Sequence, residues 1–168
     1  MKTALLFPAL LLALNASASD TAHQFSAVMS SFDEVPSVSS RAQAIFGARI
    51  ADDEQSVDFG LGFEGLQANI TQSHLHFSMP GINGPIIVWL CQTTAAPGPA
   101  GTQTCPQSGM IFGTFTSANV LAAPPTQQMP AGDLAGFIAA MRAGAVYANI
   151  HTSASPGGEI RGQVKPVR

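Results

Sequence analysis

The chain has 168 residues, a formal net charge of −3 and only 10% charged residues. This composition excludes a nucleic-acid-binding protein, which needs a basic patch, and it leaves too few basic residues for attachment to an anionic membrane. The residues with the most specific chemistry are four histidines and two cysteines.

The first 18 residues have the pattern of a secretory signal peptide. Lys2 gives a positive start, the apolar stretch 4–14 is too short to span a bilayer, and Ala16-Ser17-Ala18 is a small-x-small cleavage site. We therefore expect residues 1–18 to be removed and residues 19–168 to form a single domain. The protein is predicted to be secreted or periplasmic, with no transmembrane segment after cleavage.

Three segments after the signal peptide alternate between apolar and polar residues, as half-buried strands do. These segments are 24–29, 41–50 and 57–64. The next predicted strand begins at Ile70 and carries His74 and His76, whose side chains leave the same face because side chains alternate along a strand. A Pro/Gly/Asn turn connects it to the continuous apolar run 86–90, which is typical of a buried strand.

Cys91 and Cys105 flank a segment rich in Pro, Gly, Thr and Ala, which we expect to be a loop. In an exported protein these cysteines are predicted to form a disulfide, which would stabilise the fold by roughly 3 kcal/mol for a loop of about 15 residues. Two free thiols are the alternative. A metal role for the pair is disfavoured because no neighbouring ligands accompany it.

One helix is predicted after a further short strand at 111–116. The apolar spacing of a helix is followed by Leu134, Phe137, Ile138 and Met141. Asp133 and Gly144 occupy the positions expected for the residues that begin and end this helix. The predicted helix lies near 133–143.

The last part of the chain reads as a β-hairpin with strands 146–151 and 160–164. If its loop is symmetric, His151 lies across from Glu159, and Asn149 lies across from Arg161. One face of the hairpin is then polar over its whole length. Several short strands with turn signals between them predict a mainly β fold, an antiparallel β-sandwich with one short helix.

The order and spacing of several short motifs resemble the CHRD domain family, named from chordin. The motifs are Asp33-Glu34-Val35-Pro36, His74-Leu75-His76, Gly81-Ile82-Asn83-Gly84-Pro85-Ile86-Ile87-Val88, Ala131-Gly132-Asp133-Leu134, Tyr147-Ala148-Asn149-Ile150-His151-Thr152 and Pro156-Gly157-Gly158-Glu159-Ile160-Arg161-Gly162-Gln163. The resemblance covers about residues 24–165 and implies an immunoglobulin-like or Greek-key β-sandwich in an exported or extracellular protein. It implies no defined molecular activity. The insert at 97–105 departs from the family pattern.

Three of the four histidines, His74, His76 and His151, are candidate metal ligands. If the histidine strand and the final hairpin meet on one face, three imidazoles would hold copper or zinc and leave a coordination position open. In the alternative interpretation they form a hydrogen-bonded polar face without a metal.

Further polar residues of the hairpin would surround this site. Glu159 is a candidate fourth ligand or an outer-shell acceptor that fixes a histidine tautomer. Tyr147, Asn149 and Arg161 would line the same face. Glu159 and Arg161 would alternatively form a structural ion pair that holds the hairpin together.

The sequence leaves three hypotheses of function. The first is an exported, non-enzymatic CHRD module that holds one copper or zinc ion and binds an extracellular or periplasmic protein or small ligand. The second is a protein-interaction or structural module in which the histidines bind no metal. The third is a small mononuclear redox metalloenzyme. A binuclear copper-zinc superoxide dismutase site is excluded because four histidines cannot supply it, and the chain lacks a Gly-x-Ser-x-Gly hydrolase motif.

Overall fold

The computed structural model describes residues 22–167, so the predicted signal peptide lies outside the described residues. Within them the chain forms nine strands and one α-helix. The strands are β1 Gln24–Ser30, β2 Gln43–Ile50, β3 Val57–Glu64, β4 Ile70–Phe77, β5 Ile86–Cys91, β6 Gly109–Phe115, β7 Val146–Thr152, β8 Ile160–Gln163 and β9 Lys165–Pro166, and helix α1 is Leu134–Arg142. No helix in this part of the chain is long and apolar enough to cross a lipid bilayer.

The strands form one sheet in the order β5-β4-β7-β8-β1-β2-β3-β6, and β9 pairs with β1. The neighbouring strands along this order run antiparallel. The two end strands are bridged by Gln103, whose side-chain amide donates to the carbonyls of Leu90 in β5 and Phe112 in β6, at 3.1 Å each. The sheet is therefore nearly closed. The predicted mainly β, antiparallel class with one short helix is confirmed, whereas the sandwich and Greek-key arrangement stays a prediction.

The hydrophobic core follows from the alternation in the early strands. Phe46, Ile50 and Leu61 are fully buried, and their alternate neighbours on the same strands are also buried, while the intervening residues face outward. Burying a large apolar side chain contributes about 1.5–3 kcal/mol, so this face dominates the stability of the sheet.

Helix α1 completes the core with one apolar stripe, as its spacing predicted. Its buried residues are Leu134, Phe137, Ile138, Ala140 and Met141. Asp133 caps the first turn by accepting a hydrogen bond from the backbone N–H of Gly136 at 2.9 Å. Gly144 follows the helix with a φ of 69°, a conformation that favours glycine and ends the helix.

The final hairpin has the predicted register, with Asn149 opposite Arg161 and Ile150 opposite Ile160. The other edge of β7 pairs with β4, which sets His74 opposite Asn149 and His76 opposite Tyr147.

The alternation along β4 and β7 separates an apolar from a polar face. Leu75, Ala148 and Ile150 belong to the hydrophobic core. Since successive side chains leave opposite faces of a strand, His74 and His76 lie on the other face of the sheet. That face is the polar one predicted from the sequence.

Candidate metal centre

Three histidines converge on the polar face of β4 and β7. His74 and His76 come from β4, and His151 comes from the end of β7. One ring nitrogen from each histidine lies within 4.8 Å of the other two, and Nδ1 of His74 is within hydrogen-bonding distance, 3.3 Å, of Nε2 of His76. An ion at about 2.0–2.1 Å from each nitrogen would set the donors about 3.3–3.6 Å apart. Separations of up to 4.8 Å exceed this spacing by about 1.2–1.5 Å, so the rings would move closer together to share an ion.

Backbone carbonyls hold two of the three rings in one orientation. Nδ1 of His76 lies 2.9 Å from the carbonyl oxygen of Gly84, and Nδ1 of His151 lies 2.9 Å from that of Pro156. A carbonyl only accepts hydrogen bonds, so each Nδ1 carries the proton and each Nε2 keeps an electron pair. In His76 this electron pair can accept from Nδ1 of His74. This is the outer-shell arrangement that orients histidine ligands of metals.

Two buried ring nitrogens in this cluster have no hydrogen-bond partner in the described residues. They are Nε2 of His74 and Nε2 of His151. Leaving a buried polar atom unsatisfied costs about 1–3 kcal/mol, and proteins mostly avoid it. A metal ion would give electron pairs of this kind a partner.

Aromatic rings flank the histidines on two sides. Tyr147 stacks on His76, with ring centroids 4.5 Å apart, and Trp89 meets His74 edge-on at 4.5 Å. The guanidinium of Arg161 lies 4.3 Å from the centroid of the Tyr147 ring. Because His76 occupies one face of that ring, Arg161 covers the other.

A buried ion pair supports this aromatic stack from behind. Arg161 donates to Oε2 of Glu34 at 2.9 Å, and the two side chains are only 5% and 3% exposed. Asn149 also donates to Glu34, and its amide reaches the carbonyl of Ile160 at 2.8 Å. Arg161 further donates to the side-chain oxygen of Asn83.

The family model of the CHRD domain matches residues 25–164, which is nearly the whole chain. The chain belongs to the CHRD family. Comparisons with curated proteins and with solved structures give no match. Membership in this family suggests an extracellular binding module, and the disulfide between Cys91 and Cys105 is consistent with an extracellular location.

The predicted disulfide of this CHRD domain is confirmed, and it closes a loop beside the histidines. Within that loop the backbone of Gly98 lies against Trp89, so closely that a Cβ atom on Gly98 would come within 2.5 Å of the indole ring. Trp89 is half-buried between this loop and His74.

Burial keeps the three imidazoles uncharged. Desolvation, together with the neighbouring His151 and His76, lowers the pKa of His74 to about 2. Desolvation also lowers the pKa of His76 to about 4, against the raising effect of the Gly84 carbonyl. It lowers the pKa of His151 as well, with Arg161 adding to the effect. The rings are therefore neutral at neutral pH, which is the form that binds metals.

Glu159 lies outside the histidine cluster, in contrast to its expected role as fourth ligand or tautomer-fixing acceptor. Its carboxylate accepts hydrogen bonds from Ser40 Oγ at 2.6 Å, from the backbone N–H of Gln67 at 2.9 Å and from Thr152 Oγ1 at 2.7 Å. These three donors satisfy the carboxylate away from the imidazoles. The acceptor at Nδ1 of His151 is the carbonyl of Pro156.

The expected ion pair between Glu159 and Arg161 was also wrong, because Arg161 pairs with Glu34. Sequence reasoning did not select Glu34 as a site residue, although it belongs to the Asp33-Glu34-Val35-Pro36 motif. Tyr147, Asn149 and Arg161 do lie around the histidines, as predicted.

Proposed function

We propose that this CHRD domain is exported and binds one transition-metal ion, copper or zinc, through His74, His76 and His151. The observation that carries the proposal is the pair of buried Nε2 atoms of His74 and His151 that have no hydrogen-bond partner in the described residues. These atoms lie on rings that the fold has brought to one point from two strands.

The three imidazole donors suit copper or zinc, and their burial favours a binding function over catalysis. Imidazole nitrogen is a preferred donor for copper and zinc, and three imidazoles leave a further coordination position. The three histidines are only 0%, 6% and 7% exposed, so the ion would be enclosed. An enclosed ion suits a binding module better than an enzyme that must admit a substrate.

Export is part of the same proposal. It is supported by the signal-peptide pattern of residues 1–18 and by the disulfide. Disulfides persist in secreted and periplasmic proteins and are rare in the cytosol. In that location the partner would be an extracellular or periplasmic protein or a small ligand.

The metal content of protein purified without an affinity tag tests the proposal. The domain is incubated with copper or zinc, passed through a desalting column and analysed by mass spectrometry for bound metal. We expect about one ion per chain, and its loss in the His74→Ala/His76→Ala variant. His23→Ala is the matched control, because His23 lies outside the cluster and contacts the carbonyl of Ile50 at the end of β2.

An unchanged metal content in the double variant would remove the proposal and leave a structural or protein-interaction module. Circular dichroism of each variant shows that it remains folded. If copper is bound, a redox cycle with superoxide or peroxide would identify the domain as a redox metalloenzyme instead.

A further inference from the structure

We infer that the three-histidine site prefers monovalent copper, Cu(I), to divalent ions, because the protein surrounds it with neutral donors and places no anion among its ligands. This inference rests on the proposed metal-binding function and goes further by naming the charge state that the site accepts.

The ligand set contributes no negative charge. Within residues 22–167 the potential ligands that cluster here are His74, His76 and His151, without an aspartate, glutamate or cysteine among them. A zinc or Cu(II) ion in this group would keep both of its positive charges, unless it brought an anion with it from solution.

Both buried carboxylates on this face bind other protein groups and not the histidine cluster. Glu34 is paired with Arg161 and also accepts from Asn149. Glu159 accepts three hydrogen bonds from residues outside the cluster. Arg161 and Glu34 together are neutral, and the oxygens of Glu159 are directed to donors outside the cluster, so neither carboxylate is placed to coordinate the ion.

Burial makes the charge of the ion decisive. The three histidines are at most 7% exposed, and Tyr147 and Trp89 cover two of the rings with aromatic surface. The cost of moving an ion from water into such surroundings grows with the square of its charge, so a divalent ion pays about four times the penalty of a monovalent one.

The number of ligands that the site provides also favours Cu(I) over zinc. Cu(I) is stable with three nitrogen donors. Zinc in a three-histidine site takes a water as its fourth ligand, and that water needs room and hydrogen-bond partners. The neighbours of His74 and His76 in this structure include the faces and edges of aromatic rings, which bind water poorly.

The decisive measurement is the reduction potential of copper bound to the full domain with its disulfide intact. We expect the site to favour Cu(I) over Cu(II) by at least about 100-fold relative to water, which raises the potential by about 120 mV or more. Direct affinities come from competition with a chromogenic Cu(I) chelator under ascorbate, and from competition with a zinc indicator. Zinc is expected to bind more weakly than Cu(I).

A charge variant gives an independent check. Glu34→Gln leaves the positive charge of Arg161 uncompensated, and an added potential acts on an ion in proportion to its charge. The logarithm of the affinity should therefore fall about twice as far for Cu(II) as for Cu(I). Glu64→Gln is the matched control on the exposed end of β3, and it should change neither affinity.

The outcomes separate this inference from the proposed function. If no metal binds, or binding survives His74→Ala/His76→Ala, the proposed function itself has failed. If metal binds through the histidines, but the potential is unchanged or lower and zinc binds as tightly as Cu(I), the preference for a monovalent ion is overturned. The potential of the wild-type domain decides this point even where Glu34→Gln does not fold.

Discussion

The ring of Tyr147 lies parallel to the ring of His76, with an angle of 1° between their planes and 4.5 Å between their centroids. Its hydroxyl oxygen accepts a hydrogen bond from the backbone N–H of Gly84 at 3.2 Å, and the carbonyl of the same Gly84 holds Nδ1 of His76. Tyr147 and Gly84 therefore fix one imidazole from two directions. The stack is a positioning device rather than a ligand.

Replacing Tyr147 should weaken metal binding without removing a donor atom. We expect Tyr147→Leu to lower the metal affinity by about 10-fold or more, the range found for residues that orient histidine ligands. Tyr147→Phe keeps the stack and should stay close to wild type. Isothermal titration calorimetry measures both, and equal affinities for Tyr147→Leu and wild type would argue against the positioning role.

The stability of the metal-free domain should fall as the pH falls below about 6.5. The folded pKa values of His74 and His76, about 2 and about 4, lie below the usual histidine value, and that of His151 is also lowered. The unfolded chain therefore binds more protons than the folded one. The stabilisation that these histidines contribute is fully present above about pH 6.5. It decreases below that pH, and it is lost once the pH has fallen through the folded pKa values of about 4 for His76 and about 2 for His74.

Urea unfolding at pH 7.5 and pH 5.0 measures this effect. Each histidine contributes up to about 1.4 kcal/mol per pH unit, so a loss of several kcal/mol is expected between these two values. Glu34, whose pKa is raised by burial, acts in the opposite sense and reduces the loss. A free energy of unfolding that is equal at the two pH values would show that the histidines are not buried as neutral rings.

Breaking the ion pair of Glu34 and Arg161 should destabilise the fold strongly. Removing one partner of a buried pair leaves an uncompensated charge and costs about 3–5 kcal/mol. Glu34→Met and Arg161→Met are expected to show such losses, whereas the double variant should lose clearly less than their sum. Urea unfolding of all four proteins gives the coupling energy, and simple additivity would contradict the proposed pairing.

Opening the disulfide should loosen the loop that covers Trp89. For a sequence separation of 14 residues between the cysteines, chain entropy predicts a loss of about 3 kcal/mol in Cys91→Ala/Cys105→Ala. Trp89 is the only tryptophan, so its fluorescence reports on this loop directly. We expect a red shift and stronger quenching by acrylamide, and an unchanged emission spectrum would show that the loop stays in place without the bond.

Local patterns predicted the elements of this domain well. The alternation in β1 to β3, the spacing of Leu134 and Met141 in α1 and the register of the last hairpin each depend on short-range sequence. The pairing of β4 with β7 is a long-range contact, and the sequence left it open as a condition of the metal hypothesis.

The surroundings of the site were harder to predict. Glu34 lies 127 residues before Arg161 in the chain. The loop conformation that brings the two side chains together has no hydrophobic periodicity from which it could be predicted. The roles of the Gly84 and Pro156 carbonyls could not be predicted from the sequence either. Every residue carries a carbonyl, and only the conformation of the turn directs it at a histidine.

The bridge made by Gln103 between β5 and β6 has a consequence for how the domain behaves among its own copies. An open sheet edge presents unpaired backbone groups and serves as a template for strands of another chain. By bonding to both end strands, one amide side chain occupies acceptors that would otherwise invite edge-to-edge aggregation. We therefore expect Gln103→Ala, which removes both bonds, to increase the self-association of the domain at high concentration.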